Sequence, residues 1–288
     1  MVIKMAQKSN RTEGEQHFFD YAAEAGLTKH LGGLEATEEL VELCHIGEGS
    51  RVLDVGCGAG QTPCFLVKRY GCSVVGVDIN ERMVERSRER AEREGVADRT
   101  EFRVADAQDL PFGDDSFDAV ITESVTAFPE DKQGAVREYA RVTRPGGYVG
   151  LNESTWLKVP PPPELVAWVS QDVGAHVKPL TAEEWRELLE GAGLTEMVAT
   201  VREVDPGREA KGLVRRYGYG GMLRIVFRTL AMYARNPGYR RFVKKVRKDG
   251  ITPDSIEEYF GYGLYVGRKG AAADEANEYP KTVVNTAL

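Results

Sequence analysis

The sequence predicts an α/β fold: a doubly wound, mainly parallel seven-stranded sheet with a helical cap insertion. Three observations carry that prediction. Short apolar runs alternate with amphipathic stretches from Arg51 to Asn152. The run Arg51 to Val55 enters a turn with glycines at 56, 58 and 60 and leaves it as a helix. Between Arg208 and Lys248 a basic, aromatic-rich block interrupts the alternation.

The elements follow in order. Residues 14–45 read as lid helices carrying Phe18, Phe19, Tyr21 and Ala22, then Leu34, Leu40, Val41 and Leu43, with His30-Leu31-Gly32-Gly33 between them. The first strand is 51–55, and Pro63 falls in the first turn of a helix over 61–70, where a missing N–H costs nothing. Ser73–Asp78 is almost continuously apolar, as a strand covered on both faces requires. Asn80 suits the N-cap of a charged helix to Glu94, whose inner face is Met83, Val84, Ser87 and Ala91. Strands follow at Glu101–Ala105 and Asp118–Thr122. A helix over 132–142 then leads through the turn signal Arg144-Pro145-Gly146-Gly147 to a strand at Tyr148–Asn152. Right-handed crossovers make these five strands parallel.

Beyond 152 the pattern loosens. Pro160 to Pro163 reads as a stiff extended connection in a cap segment of about 155–180. Thr181 and Glu184 form a capping box for a helix to Gly191, with Trp185, Leu188 and Leu189 turned inward. A strand at about 195–204 precedes helices near 208–234 and 238–249, in an insertion of about 205–255. A last strand at Tyr259–Arg268 completes one domain over 1–270 and leaves 271–288 as a tail.

A chain of 288 residues, 42% hydrophobic and 29% charged, fits one elaborated soluble domain. No apolar run approaches the roughly 20 residues of a membrane span. The N-terminus lacks a basic-then-apolar leader, which predicts a cytoplasmic address, if need be peripheral to a membrane. Cys44, Cys57, Cys64 and Cys72 show no C-x-x-C pairing, so they read as reduced, buried thiols. His17, His30 and His45 have no metal-ligand spacing, and no metal is expected. The net charge of −7 conceals thirteen Lys/Arg against one acid, Glu209, between Arg208 and Lys248. A block so biased points to an anionic partner.

The glycine spacing separates two cofactor classes. A dinucleotide fingerprint G-x-G-x-x-G needs a third glycine at 61 or 63, where the chain has Gln61 and Pro63. What stands, Asp54-x-Gly56-x-Gly58-x-Gly60, resembles motif I of the class I S-adenosyl-L-methionine (SAM)-dependent methyltransferases. The runs Asp106-Ala-Gln-Asp-Leu-Pro-Phe112, Ser116-Phe-Asp-Ala-Val120 and Arg144-Pro-Gly-Gly147 follow in order. Together they resemble the branch that includes the ubiquinone/menaquinone C-methyltransferases and the tocopherol and sterol methyltransferases. The resemblance is close over 50–155 and loose to 195. It implies a Rossmann-like sheet, SAM as methyl donor and S-adenosyl-L-homocysteine as product.

By that resemblance Asp54, Gly56, Gly58 and Gly60, with Gln61 and Thr62, cradle the methionine part of SAM. Asp78, at the end of a strand, is placed to accept from ribose hydroxyls, with Ile79 against the adenine and Met83 on the helix behind. Asp106, Ala107 and Gln108 would hold the adenine edge. Tyr21 is the best match for an aromatic residue closing over the sulfonium, the alternative being core packing, and Gly32 and Gly33 offer backbone contacts. Glu123 ends a strand and so opens onto the crevice, where it contacts cofactor or acceptor or serves as general base. Glu153 and His176 are the next candidate bases, with Glu153 and Trp156 lining an acceptor pocket. An Asn/Asp-Pro-Pro-Tyr run is absent after this strand, which argues against DNA adenine or protein glutamine as acceptor.

These readings converge on methyl transfer to a small-molecule acceptor, hydrophobic or lipid-like, at carbon, nitrogen or oxygen. The basic insert reads first as a helical cap over that acceptor. A membrane-surface or anionic-substrate dock over 208–248 is the sharper alternative. Nucleic acid ranks third, since no recognisable binding module accompanies the charge. Two other classes stand beside this one: a SAM-binding but non-catalytic partner subunit, and a nicotinamide-dependent oxidoreductase.

Overall fold

A computed structural model describes residues 21–26, 28–172, 177–249 and 255–270. His176, the tail at 271–288 and the chain before Tyr21 lie outside the described residues. After a helical stretch at 21–25, the elements are α1 (Gly33–Leu43), β1 (Arg51–Val55), α2 (Gln61–Tyr70), β2 (Ser73–Asp78), α3 (Glu81–Glu94) and β3 (Thr100–Val104). There follow β4 (Phe117–Glu123), α4 (Lys132–Val142), β5 (Thr143–Trp156), α5 (Pro163–Ala167), β6 (Leu180–Thr181), α6 (Ala182–Glu190) and β7 (Leu194–Glu203). The cap helices α7 (Pro206–Arg235) and α8 (Pro237–Asp249), a short α9 (Ile256–Tyr259) and β8 (Phe260–Lys269) complete the set.

The sheet runs β3-β2-β1-β4-β5-β8-β7, with the two-residue β6 pairing off β5. β1 to β5 are parallel, while β8 lies antiparallel to both β5 and β7. The order reverses between β1 and β4, and this switch point opens a crevice beyond the carboxyl ends of the strands.

Period-two alternation along the strands builds two cores. Val52, Val74, Ala119 and Ile121 face α1, α2 and α3, meeting Leu40, Leu66, Val67 and Val84. Leu53, Val55, Val75, Val120 and Leu151 face the other way, onto Val136, Tyr139, Trp185 and Leu189 of α4 and α6. Gly150 lets α1 lie close to β5, because a Cβ there would stand 2.5 Å from Cys44 Sγ. All four cysteines are free and buried. Burial pushes the Cys64 and Cys72 thiols up to about 12 and about 11.

Caps match the sequence closely at two helices. Asn80 accepts from the Arg82 and Met83 amides, and Thr181 and Glu184 close a reciprocal capping box. Two expectations change. Arg144 to Gly147 is a bulge inside a longer β5 rather than a turn before it: pairing jumps from Phe117↔Thr143 to Ala119↔Tyr148, and Gly146 takes φ 78°. The connection after β5 also carries a helix where an extended run was expected. Only its first prolines need be extended, since Pro163 at a helix start is permitted.

Trp185 is the largest fully buried side chain and donates its indole N–H to the Ser154 carbonyl at 3.1 Å. Trp185→Ala is expected to lower stability by ~3–5 kcal/mol in chemical denaturation. A loss under about 1 kcal/mol would contradict the core assigned to α6.

Candidate functional site at the switch point

Four acids stand at neighbouring strand ends: Asp54 on β1, Asp78 on β2, Asp106 just past β3 and Glu123 on β4. The glycine turn folds among them. Gly56, Gly58 and Gly60 take φ 75°, 53° and 72°, and a Cβ on Gly56 would stand 2.2 Å from Val125 Cγ2. Only glycine meets both demands. Asp78 holds the turn in place: its Oδ2 accepts from the Gly58 amide at 3.0 Å and its Oδ1 from the Asn80 amide at 2.9 Å.

Glu123 is the hub. Thr37 Oγ1 of α1 donates to its Oε1 at 2.7 Å, and Thr62 Oγ1 of α2 donates to its Oε2 at 2.6 Å. His30 Nε2 lies 3.4 Å from Oε1, and both side chains are about 5% exposed or less. From the cap, Arg216 donates Nη2–H to Thr62 Oγ1 at 3.1 Å and lays Nη1 against His30 Nε2. Burial alone would raise the Glu123 pKa, but the facing His30, the Arg216 charge and the two hydroxyls outweigh it and hold the carboxyl below its ordinary range.

His30 Nδ1 lies 3.1 Å from the Leu31 carbonyl and 3.2 Å from Asn152 Nδ2, while Nε2 faces Glu123, Thr37 and Arg216. Burial, against the pull of Glu123 and with the help of Arg216, lowers the His30 pKa to about 4. Asp54 has one carboxylate oxygen, Oδ2, buried without a partner among the described residues. Burial raises its pKa, and the Glu123 and Asp78 charges raise it further against Arg216. The crevice therefore gathers three carboxylates, and the Arg216 guanidinium acts on Asp54 and Glu123 from the cap.

The structure distributes the remaining predicted residues. Gln61 Nε2 donates to the Arg216 carbonyl at 2.6 Å, so the start of α2 meets the cap. Gly33 lines a small pocket with Lys29, His30, Glu209, Leu213 and Arg216, and Gly32 spends its amide on Glu209 Oε1 at 2.7 Å. Met83 is buried with Ala23 and Ala59 behind the turn, and Ile79 is half-buried beside Asp78. Asp106 Oδ1 closes its own turn on the Gln108 amide at 3.0 Å, with Ala107 half-buried and Gln108 exposed.

One expectation is corrected. Glu153 does not line a pocket. It is fully buried, and its carboxylate accepts from the Val125, Thr126 and Ala127 amides at 2.9, 2.6 and 3.3 Å, anchoring the turn after β4. Tyr21 is half-buried and packs its ring on Tyr239 and Phe242 of α8, centroids 4.8 and 5.3 Å apart.

His30, Thr37, Asn152 and Arg216 are site residues that the sequence reading passed over. Asn152 donates Nδ2–H to the Leu31 carbonyl at 2.9 Å and so fastens the His30 segment to β5. Among the described residues no group of three or more His, Cys, Asp or Glu is placed to hold a metal ion.

Residues 53–151 match the family described as a methyltransferase domain. Methyltransferase GfsG of Streptomyces halstedii is 41% identical over 120 residues, 41% of this chain and 43% of that protein. The chain thus spans under half the length of that relative. The 27-O-demethylrifamycin SV methyltransferase of Amycolatopsis mediterranei is 35% identical over 185 residues, 63% of this chain and 67% of its own length. The chain belongs to the SAM-dependent methyltransferases. Among solved structures, the [4+2]-cyclase SpnF matches with a TM-score of 0.69 at 20% identity, over 90% of this chain and 96% of that one. A SAM-dependent methyltransferase from Geobacter sulfurreducens, solved with S-adenosyl-L-homocysteine, matches at 0.65 and 23% identity, over 86% and 96%. Both share the fold.

The crevice suits the family's cofactor on two local observations. SAM carries an ammonium and a sulfonium, and three converging carboxylates with an orphaned Asp54 oxygen call for positive charge. The glycine turn also keeps side chains off the backbone that a bulky ligand would approach.

The His30 pKa yields a stability test. The unfolded chain takes up this proton near pH 6.5 and the folded one near pH 4. Stability is therefore whole above about pH 6.5, falls as the pH drops toward 4, and levels off below. The wild type is expected to lose ~3 kcal/mol more than His30→Gln across that window in denaturant titrations. Parallel curves for the two proteins would place His30 elsewhere.

Proposed function

We propose that the protein methylates a small hydrophobic acceptor bound under the cap, at a hydroxyl whose proton the His30–Glu123 pair accepts. The observation that carries this reading is the buried His30 imidazole, held neutral 3.4 Å from the Glu123 carboxylate where the cap closes on the strand ends. SAM, when bound, supplies an electrophilic methyl group on a cationic sulfur. The chain's own work is to align, to exclude water and to manage one proton.

Asp54 and Glu123 would offer negative charge to the cofactor's ammonium, and Asp78 acceptor oxygens to the ribose. The Glu209 carboxylate, bonded to the Gly32 amide and 3.0 Å from Lys29 Nζ, and the Tyr217 hydroxyl, bonded to the Thr28 amide and carbonyl, hold the lid segment against the cap. That closure keeps water from the site. His30 is neutral at pH 7, and the adjacent Glu123 charge favours its protonated form. The rifamycin relative, whose name places its methyl on oxygen, supports a hydroxyl acceptor.

A second reading has one observation behind it. A neighbour titled as a [4+2]-cyclase shares this fold, and a fold does not by itself assign chemistry. A SAM-binding protein without transfer activity would bind the cofactor and consume none.

Titration calorimetry with SAM, S-adenosyl-L-homocysteine and NAD is expected to show binding of the first two only. Asp54→Asn should weaken SAM at least tenfold. No SAM binding by the wild type would contradict the reading.

With a panel of hydrophobic hydroxyl acceptors, His30→Asn and Glu123→Gln are each expected to lower kcat by roughly 10²–10⁴. The wild-type rate should fall on the acid side as His30 protonates. SAM consumption unchanged by both substitutions would remove the pair from the reaction.

A further inference from the structure

The kink at Gly218 (φ 65°, ψ 166°) divides α7 into two working halves. The first carries Arg216 and Tyr217 onto the site. The second presents two faces. Ile225 and Met232, 9% and 3% exposed, turn toward the body of the protein. On the opposite face Tyr219, Leu223, Val226, Phe227, Leu230 and Tyr233 are 42–83% exposed. These are six of the eleven large apolar side chains exposed among the described residues, gathered within fifteen positions of one helix. Their spacing of 4, 3, 1, 3 and 3 residues makes one continuous stripe, roughly 20 Å long at the rise of an α-helix. Scattered exposed apolar residues need no explanation, but a stripe of this kind marks an interaction surface.

The charge around the stripe says what covers it. From Ala210 to Lys248 the chain has twelve Lys/Arg and no acid. Arg224 and Arg235 flank the stripe and are exposed, and Arg240 of α8 donates to the Tyr233 and Ala234 carbonyls at its end. Arg228 stands among like charges: burial, then Arg86, Arg224 and Arg93, depress its pKa, with Glu89 opposing. A second copy docking through the same face would set these charges against themselves. An anionic bilayer would neutralise them while taking up the apolar side chains, which is how basic amphipathic helices adsorb.

We propose that α7 and α8 form a docking surface for anionic lipid bilayers, with the stripe from Tyr219 to Tyr233 entering the interface. The proposal does not depend on methyl transfer.

The test is co-sedimentation of the full chain with vesicles of phosphatidylcholine alone and of phosphatidylcholine with phosphatidylglycerol. The expected result is binding to the phosphatidylglycerol vesicles, weakened by salt and by Arg224→Gln/Arg235→Gln. The triple variant Leu223→Ser/Phe227→Ser/Leu230→Ser should bind at least tenfold more weakly. Its melting temperature and S-adenosyl-L-homocysteine affinity should match the wild type, which separates this outcome from misfolding and from any failure of the cofactor reading. Three results would overturn the proposal. One is no binding by the wild type, and another is equal binding to both vesicle types. The third is light scattering that shows a wild-type dimer which the triple variant makes monomeric.

Discussion

The buried Glu123 carboxylate is the tie on which the site depends. It takes one hydroxyl from α1, one from α2 and an imidazole from the lid segment, and Arg216 of the cap reaches it through His30 and Thr62. Four separately folded pieces of chain meet on one side chain that itself ends a central strand. A charge so deeply buried is tolerated only where hydrogen bonds and opposite charge surround it. Loss of any one partner would leave the others facing an uncompensated carboxylate. The closure of lid and cap over the crevice is therefore set by electrostatics as much as by packing.

That hub also explains the shape of the crevice. Parallel strands deliver acids to one edge of the sheet, and the reversal of strand order between β1 and β4 leaves the gap beside them open. The glycine turn fills the floor of that gap with backbone, and Asp78 pins the turn through two amides. Asp54, with its buried unpartnered oxygen, remains as the part of the arrangement that awaits a cation. Glu153, one position past the Asn152 that pairs with Glu123, has the opposite fate: a carboxylate consumed by three amides inside β5.

The sheet and the cofactor side were legible in the sequence because their signals are local. Apolar alternation, the Asn80 cap, the Thr181–Glu184 box and the spaced glycines each depend on residues within a few positions of one another. The partners of Glu123 were not legible, because the cluster is assembled from distant positions. His30, Glu123 and Arg216 lie far apart in the chain, and nothing in the neighbourhood of any one announces the others. Arg216 was one basic residue among thirteen. Glu153 misled for a related reason. Strand position and residue type place a side chain near a site, but whether it faces the ligand or the backbone is decided by tertiary partners, here the turn after β4.

The central claim is that the convergent carboxylates at the β1–β4 switch point receive a cationic cofactor. A crystal structure of the chain with S-adenosyl-L-homocysteine tests it most directly. The account predicts the ligand on the glycine turn, its ammonium about 2.7–3.2 Å from Asp54 or Glu123 and its ribose on Asp78. A ligand bound elsewhere, with Asp54 Oδ2 still unpartnered, would contradict it.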